Sequence, residues 1–140
     1  MSKELRSLLV SAETVAEETL AEALHGLVSI IEGSGEIMAS HGLTKLDVPS
    51  QITAYLLARR AGVVLQQKES ASATASEIAG VLHLDVQRVR EALSRLKGSV
   101  VAKSGDGYEI PLIRVETACE LASRRVATIP FRIRGAEPWM

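Results

Sequence analysis

The stretch Thr74–Ile110, TASEIAGVLHLDVQRVREALSRLKGSVVAKSGDGYEI, decides the fold of this chain. Ile78, Ala79 and Leu82 share one face of a predicted first helix, because their spacings of one, three and four residues match the helical period. A second helix, from about residue 85 to 97, has its apolar residues at the same kind of spacing: Val86, Val89, Leu93 and Leu96. The sequence therefore predicts two short helices that bury their inner faces against each other.

A tight corner and a hairpin complete this stretch. The three residues 83–85 between the helices leave room only for a tight corner, and Asp85 can cap the second helix with its carboxylate. After the second helix, residues 100–102 form a β-prone run, Gly105-Asp106-Gly107 allows a tight reversal, and residues 108–110 return as the partner strand. The order helix, corner, helix and hairpin leaves the outer face of the second helix free to enter a DNA major groove.

This combination resembles the winged helix-turn-helix family, in particular small bacterial and archaeal transcription regulators of MarR-like and GntR-like type. The resemblance covers about a quarter of the chain. The residues that carry it are Thr74, Glu77-Ile78-Ala79, Leu82, Leu84, Val89, Leu93, Leu96, Gly98 and Gly105-Asp106-Gly107-Tyr108. Many relatives have glycine at the corner where this chain has His83, a residue that tolerates left-handed geometry better than most. The resemblance implies a mainly α fold with a small β-hairpin wing, and DNA binding by a dimer.

Composition fits a folded regulator of this kind. The chain has 140 residues, 46% of them hydrophobic and 24% charged, which is typical of a small folded protein. A lone cysteine, Cys119, excludes an intrachain disulfide and agrees with a cytoplasmic location. No apolar run is long enough to span a membrane, and acidic residues near the N-terminus argue against a signal peptide. We predict no membrane association.

The net charge of −1 does not indicate nucleic-acid binding, but the charges are unevenly distributed along the chain. Residues 1–50 contain 3 Lys/Arg and 8 Asp/Glu, whereas residues 51–116 contain 9 and 7, and residues 117–140 contain 4 and 2. Acidic residues are thus concentrated away from the proposed reading helix, as expected if one face meets phosphates. An accidental asymmetry is the alternative, since the balance of the central segment is only +2.

We divide the chain into an N-terminal helical region (1–48), a winged helix-turn-helix domain (49–111), and a C-terminal helix with an extended tail (112–140). Apolar spacing predicts a helix over residues 3–32. Unbroken, it would be about 45 Å long and would project beyond its own domain. A second copy of the chain is then the simplest partner for its apolar stripe, so we predict a homodimer through the N- and C-terminal helices. The alternative is a helix broken near Gly26 that packs on its own subunit.

The remaining segments have simpler predictions. Gly33-Ser34-Gly35 is predicted to end the first helix, and residues 36–40 to form a short helix. Pro49 opens a helix that runs to about residue 67; its Arg59-Arg60 pair either reaches a DNA backbone or lies on a solvated surface. A C-terminal helix is predicted over residues 114–125, followed by an edge strand or extended arm over residues 129–134.

Exposed polar residues of the second helix are the candidate DNA-binding residues. Gln87 and Arg88 lie in its first turn, where such a helix usually meets base edges. Cations further along suit phosphates, and Thr74 and Ser76 begin the preceding helix, whose N-terminal amides attract a phosphate. Thr74 with Glu77 also matches a capping box. The full predicted set is Thr74, Ser76, Gln87, Arg88, Arg90, Glu91, Ser94, Arg95, Lys97 and, in the wing, Lys103.

Other functions find less support in the sequence. His25, His41, His83 and Cys119 are scattered without metal-ligand spacing, and no catalytic pattern stands out, so we predict no enzymatic activity, no metal and no cofactor. Two hypotheses remain. In the first, the chain is a dimeric transcription regulator that binds double-stranded DNA. In the second, it is a winged-helix module that docks on another protein of a larger complex. The weak basic balance and the acidic wing tip favour the second hypothesis.

Overall fold

The computed structural model describes residues 12–67 and 70–120. They form a mixed α/β fold of helices and two small antiparallel hairpins. In chain order the elements are α1 (Ala12–Leu24), β1 (Val28–Ile30), β2 (Ile37–Ala39), α2 (His41–Thr44), α3 (Val48–Val64), α4 (Ala75–Leu82), α5 (Val86–Leu96), β3 (Ala102–Ser104), β4 (Gly107–Glu109), a 3-10 helix (Leu112–Arg114) and the helical residues 115–120.

Helix α3 lies at the centre of the fold. Its start is fixed by Asp47, whose carboxylate accepts a hydrogen bond from the backbone N–H of Ser50 at 2.9 Å, with Pro49 in the first turn. Every residue from 50 to 58 is buried, so this helix is covered almost all round rather than along one stripe. The helix predicted to follow Pro49 is confirmed. It ends earlier than predicted, because Gln66 takes a left-handed conformation (φ 61°).

Helices α4 and α5 occur where the sequence predicts them. Thr74 and Glu77 form the predicted capping box at the start of α4, with bonds of 2.9 and 3.1 Å. The helix ends at His83, which adopts the left-handed conformation at φ 56° and ψ 46°. Asp85 then caps α5 by accepting from the N–H of Arg88 at 3.3 Å. The predicted apolar faces meet, because Ile78, Leu82, Val89 and Leu93 are all buried.

The predicted hairpin follows α5, with its first strand two residues later and its second strand one residue earlier than predicted. Val100 and Val101 are fully buried in the turn that closes α5, and both amides donate to the carbonyl of Leu96 at 3.2 Å. The strands β3 and β4 then pair with Lys103 opposite Tyr108. Ala73 extends this pairing, since it exchanges two backbone hydrogen bonds with Tyr108 at 2.8 and 2.9 Å. The hairpin is thereby tied to the start of α4.

Two arginines of α3 hold the hairpin in place. Arg60 donates from Nε to the carbonyl of Ile110 at 3.0 Å and from Nη2 to the carboxylate of Glu109 at 2.8 Å. Arg59 donates to the carbonyl of Ser72, in the segment that leads into α4. The Arg60 side chain is only 16% exposed. The predicted solvated surface is therefore wrong for this pair, because both guanidinium groups bond within the fold, while a DNA contact by the pair stays a prediction.

The unbroken N-terminal helix is a wrong prediction for the described residues, whereas the alternative, a break near Gly26 with packing on the chain's own core, is confirmed. Helix α1 ends at Leu24, Gly26 takes a positive φ of 83°, and β1 and β2 form a hairpin with Val28 opposite Ala39. The tip of this hairpin contains Gly33 and Gly35, both with positive φ. The short helix predicted for residues 36–40 is also wrong, because residues 37–39 are a strand. Residues 3–11 of the predicted helix lie outside the described residues.

Helix α1 and the helical residues 115–120 contact each other and share the core of α3. Leu20 and Leu24 of α1 belong to the same buried core as α3, and the thiol of Cys119 contacts the carbonyl of Thr19 at 3.8 Å. The C-terminal helix predicted from residue 114 begins at residue 115 after a 3-10 turn and contacts α1, while residues 121–125 of that prediction lie outside the described residues. One core spans the boundaries at residues 48 and 111, and the three-part domain division stays a prediction. The arm predicted at residues 129–134 lies outside the described residues.

None of the helices that the structure describes combines the length and the apolar character needed to cross a bilayer. The cytoplasmic location and the absence of membrane association stay predictions.

Candidate nucleic-acid interface

The outer face of α5 is open to solvent. Each predicted residue on this helix and its C-cap is exposed: Gln87, Arg88, Arg90, Glu91, Ser94, Arg95 and Lys97. Ser76 in the first turn of α4 and Lys103 in β3 are exposed as well, whereas Thr74 is half-buried. The structure thus brings the predicted residues to the surface of two successive helices and a hairpin strand.

Helical geometry sorts the exposed side chains of α5 into a central ridge and two flanks. Val89 and Leu93 point into the core. At 100° per residue, the opposite side of the helix carries Gln87, Glu91 and Ser94 in a row. The cations lie to either side of this ridge: Arg88 and Arg95 on one flank, Arg90 and Lys97 on the other. The ridge is therefore neutral to acidic, and four positive charges border it.

One flank of α5 faces the beginning of α3. Arg88, Glu91 and Arg95 line a groove of about 320 Å³ together with residues 47–49. The amino-terminal end of α3 contributes the positive end of its dipole there, while the Asp47 carboxylate, which caps that helix, contributes a negative charge. The two walls of this groove lie some forty residues apart in sequence, so no local spacing pattern indicated it.

In the first turn of α4, Thr74 caps the helix, whereas Ser76 is exposed and available to a ligand. The Thr74 hydroxyl accepts from the Glu77 N–H, and the Glu77 carboxylate accepts from the Thr74 N–H, so Thr74 is the cap that its spacing to Glu77 indicated. Ser76 is exposed beside the same turn. A phosphate approaching α4 would therefore meet Ser76 more directly than Thr74.

The β3–β4 hairpin presents Lys103 and a tip without a cation. Gly105 has a φ of 59°, as the predicted reversal requires, and Asp106 is exposed. Gly107 is buried, and a side chain there would come within 3.0 Å of the Ala73 carbonyl oxygen. The hairpin therefore has a fixed position next to the start of α4, and its lysine points away from the core.

Cys119 is not part of the exposed face of α5. It is buried, and burial, with a smaller effect from Glu116, raises the pKa of its thiol to about 11. Its small side chain packs in the hydrophobic core. In the described part of the chain no three histidine, cysteine or acidic side chains are grouped to hold a metal ion. The absence of catalysis, of a metal and of a cofactor stays a prediction.

An apolar groove of about 380 Å³, which the sequence did not reveal, lies between α1, β1 and α3. Its walls include Leu20, Leu24 and the half-exposed Leu65, and its titratable groups are Glu17 and His25. The side chains come from three elements far apart in sequence, which explains why no local pattern indicated it.

No family model matches the chain, and no curated protein and no solved structure is significantly similar to it. The geometry of α4, α5 and the β3–β4 hairpin is therefore the basis for a proposal on function.

Proposed function

We propose that this chain is a winged helix-turn-helix transcription regulator that binds double-stranded DNA as a homodimer. Helix α5 enters the major groove, and the β3–β4 hairpin, its wing, contacts the backbone. The observation that carries the proposal is the outer face of α5, where a ridge of hydrogen-bonding side chains is bordered by four cations. The side chains below this face are buried, so the helix can present it without exposing its apolar residues.

The dimensions of α5 suit a major groove. Its 11 residues span about 16 Å, and a helix with its side chains is about 10–12 Å wide, close to the width of the groove. A helix laid in the groove turns its central ridge to the base edges. Arg88 and Arg95 then face one phosphate backbone, and Arg90 and Lys97 face the other. In this proposal the arginines, including Arg88, contact phosphates, and the ridge with Gln87 reads the bases.

Two further groups support a backbone contact. Ser76 and the free amides of the first turn of α4 suit a phosphate, since a helix N-terminus attracts anions. Lys103 on the wing adds one cation, while Asp106 at its tip would repel a phosphate. We therefore expect a short, partly structural wing and about three or four phosphate contacts per subunit.

The homodimer in this proposal is supported by the apolar groove between α1, β1 and α3. A groove with apolar walls and an exposed Leu65 at its edge is a surface that a second copy of the chain can cover. The earlier argument from a projecting 45 Å helix no longer applies, because α1 ends at Leu24.

A second candidate function is a winged-helix module that docks on another protein. The observation that favours it is the carboxylate of Asp47 in the groove beside Arg88 and Arg95, together with the acidic wing tip. Negative charges at both places weaken the attraction of this surface for phosphates.

A gel shift with mixed genomic fragments at low salt separates the two. We expect the full chain to bind, and we expect Arg88→Ala combined with Arg95→Ala to weaken binding at least about 100-fold, because the dimer then loses four phosphate contacts and every 1.4 kcal/mol lost is a factor of ten. Arg114→Ala, in the 3-10 helix, is the matched control and should bind like the unmodified chain. Circular dichroism verifies folding. A folded chain that binds no fragment would support the docking module instead.

A further inference from the structure

We infer that Glu91 makes the regulator select a cytosine in each half-site, an inference that rests on the proposed DNA-binding function. Glu91 is the one acidic residue within α5, and it lies on the exposed ridge with Gln87 and Ser94, at the side of the ridge that borders Arg88 and Arg95. It forms no ion pair within 4 Å with any residue that the structure describes. Its carboxylate is therefore available to a base edge at the place where the helix comes closest to the bases.

Hydrogen-bonding chemistry limits which base this carboxylate accepts. An ionised carboxylate only accepts hydrogen bonds. In the major groove cytosine offers the N4 amino group, whereas guanine offers the acceptors O6 and N7, and thymine the acceptor O4 and a methyl group. Adenine has an N6 amino group, but its N7 acceptor lies next to it and repels a second oxygen. Cytosine is thus the base that satisfies Glu91 without placing an acceptor against it.

The same carboxylate weakens binding to sites that have another base at this position. A helix in the major groove brings Glu91 between two phosphate backbones, where an unpaired negative charge loses water and gains repulsion. Arg88 and Arg95 line the groove with Glu91, but in the complex they face the phosphates of one flank. Binding to a site without a donor opposite Glu91 is therefore penalised. Glu91 therefore raises specificity by this penalty as well as by its bond to cytosine.

Selection from random duplex DNA tests the inference, with the full chain compared with Glu91→Gln. We expect the unmodified chain to recover sites with a cytosine at one position of each half-site. Glu91→Gln should lose this preference or shift it to adenine, whose N6 and N7 pair with a glutamine amide. Changing that cytosine to thymine in the selected duplex should weaken the unmodified chain by roughly 5- to 150-fold, the equivalent of 1–3 kcal/mol. The same change should weaken Glu91→Gln less than about 3-fold.

The matched control is Glu22→Gln, an exposed carboxylate of α1 on a different element. It should retain the preference of the unmodified chain, and circular dichroism should show all three proteins folded alike. Binding of Glu91→Gln with an unchanged base preference would overturn the inference and leave the proposed function standing. A folded chain that recovers no duplex at any salt concentration would overturn the proposed function, and the inference with it.

Discussion

Cys119 shows what a single residue gains from its place in the fold. Its side chain is 5% exposed, and its thiol contacts the Thr19 carbonyl of α1, so it joins the C-terminal helical segment to the first helix. Burial disfavours the thiolate, and the carboxylate of Glu116 adds to this, which raises the pKa from 9.0 to about 11. A thiol in this state is a poor nucleophile at neutral pH, so the structure favours a packing role over redox sensing.

The pKa of Cys119 predicts how stability depends on pH. Between pH 9 and pH 11 the unfolded thiol has lost its proton and the folded one retains it, so the free energy of unfolding falls as pH rises. A shift of this size corresponds to about 2–3 kcal/mol at most. Urea unfolding at pH 8 and pH 11 should therefore show a larger loss for the unmodified chain than for Cys119→Ala. Equal losses in the two proteins would contradict this coupling.

Individual residues also show where sequence reasoning succeeds. The capping box of Thr74 and Glu77 and the cap of Asp85 were predictable, because each joins residues three positions apart. Arg60 was not, because its partners Glu109 and Ile110 lie about fifty positions further along the chain. Local spacing fixes hydrogen bonds within a turn, whereas a bond between distant segments depends on the completed fold.

At the scale of elements, the corner between α4 and α5 sets the orientation of α5, the helix that we propose enters the major groove. His83 takes the left-handed conformation, and the amide of Leu84 donates to the Ala79 carbonyl at 3.0 Å to close the turn. A side chain in this conformation costs about 1–2 kcal/mol relative to glycine, which has no Cβ. This chain has histidine rather than glycine at the corner, and the backbone of His83 still adopts the left-handed conformation that glycine favours.

We therefore expect His83→Gly to stabilise the chain by about 0.5–1 kcal/mol, after subtracting the greater freedom that glycine gives the unfolded state. Gln66→Gly should behave in the same way, because Gln66 has a φ of 61° after α3. His41→Gly is the matched control: this histidine is exposed and lies in the short helix α2, so the change should be slightly destabilising. Urea midpoints measure all three. A destabilised His83→Gly would mean that the imidazole itself supports the corner.

The β1–β2 hairpin shows why an element can be mistaken from its sequence. Leu27, Val28 and Ile31 continue the apolar spacing of α1, so the pattern over residues 3–32 suits a helix as well as a strand. Three glycines with positive φ, at positions 26, 33 and 35, decide for the hairpin by ending the helix and closing the turn. The α4–α5 pair was easier to predict from the sequence, because each helix has its own N-terminal cap and its own apolar face.

At the scale of the whole molecule, charge and apolar surface lie on different elements. The exposed side chains of Glu17, Glu18 and Glu22 belong to α1, while four cations and one carboxylate occur in residues 86–97. The apolar groove lies beside α1, and the groove lined by Arg88 lies at the opposite end of α3, since it contacts residues 47–49 rather than residues 61–65. A dimer formed at the first groove would leave both reading helices uncovered.

The dependence of DNA binding on salt tests this dimer. Six to eight phosphate contacts predict a slope of log K against log salt of roughly −5 to −7, whereas one subunit would give about half that value. Light scattering should show twice the chain mass of 15.0 kDa. Leu65→Glu places a charge in the apolar groove and should yield a monomer with the shallower slope. Met38→Glu, at a comparably exposed apolar residue of β2 outside that groove, should remain dimeric. If Leu65→Glu stays a dimer with the steep slope, the subunits associate through a different surface.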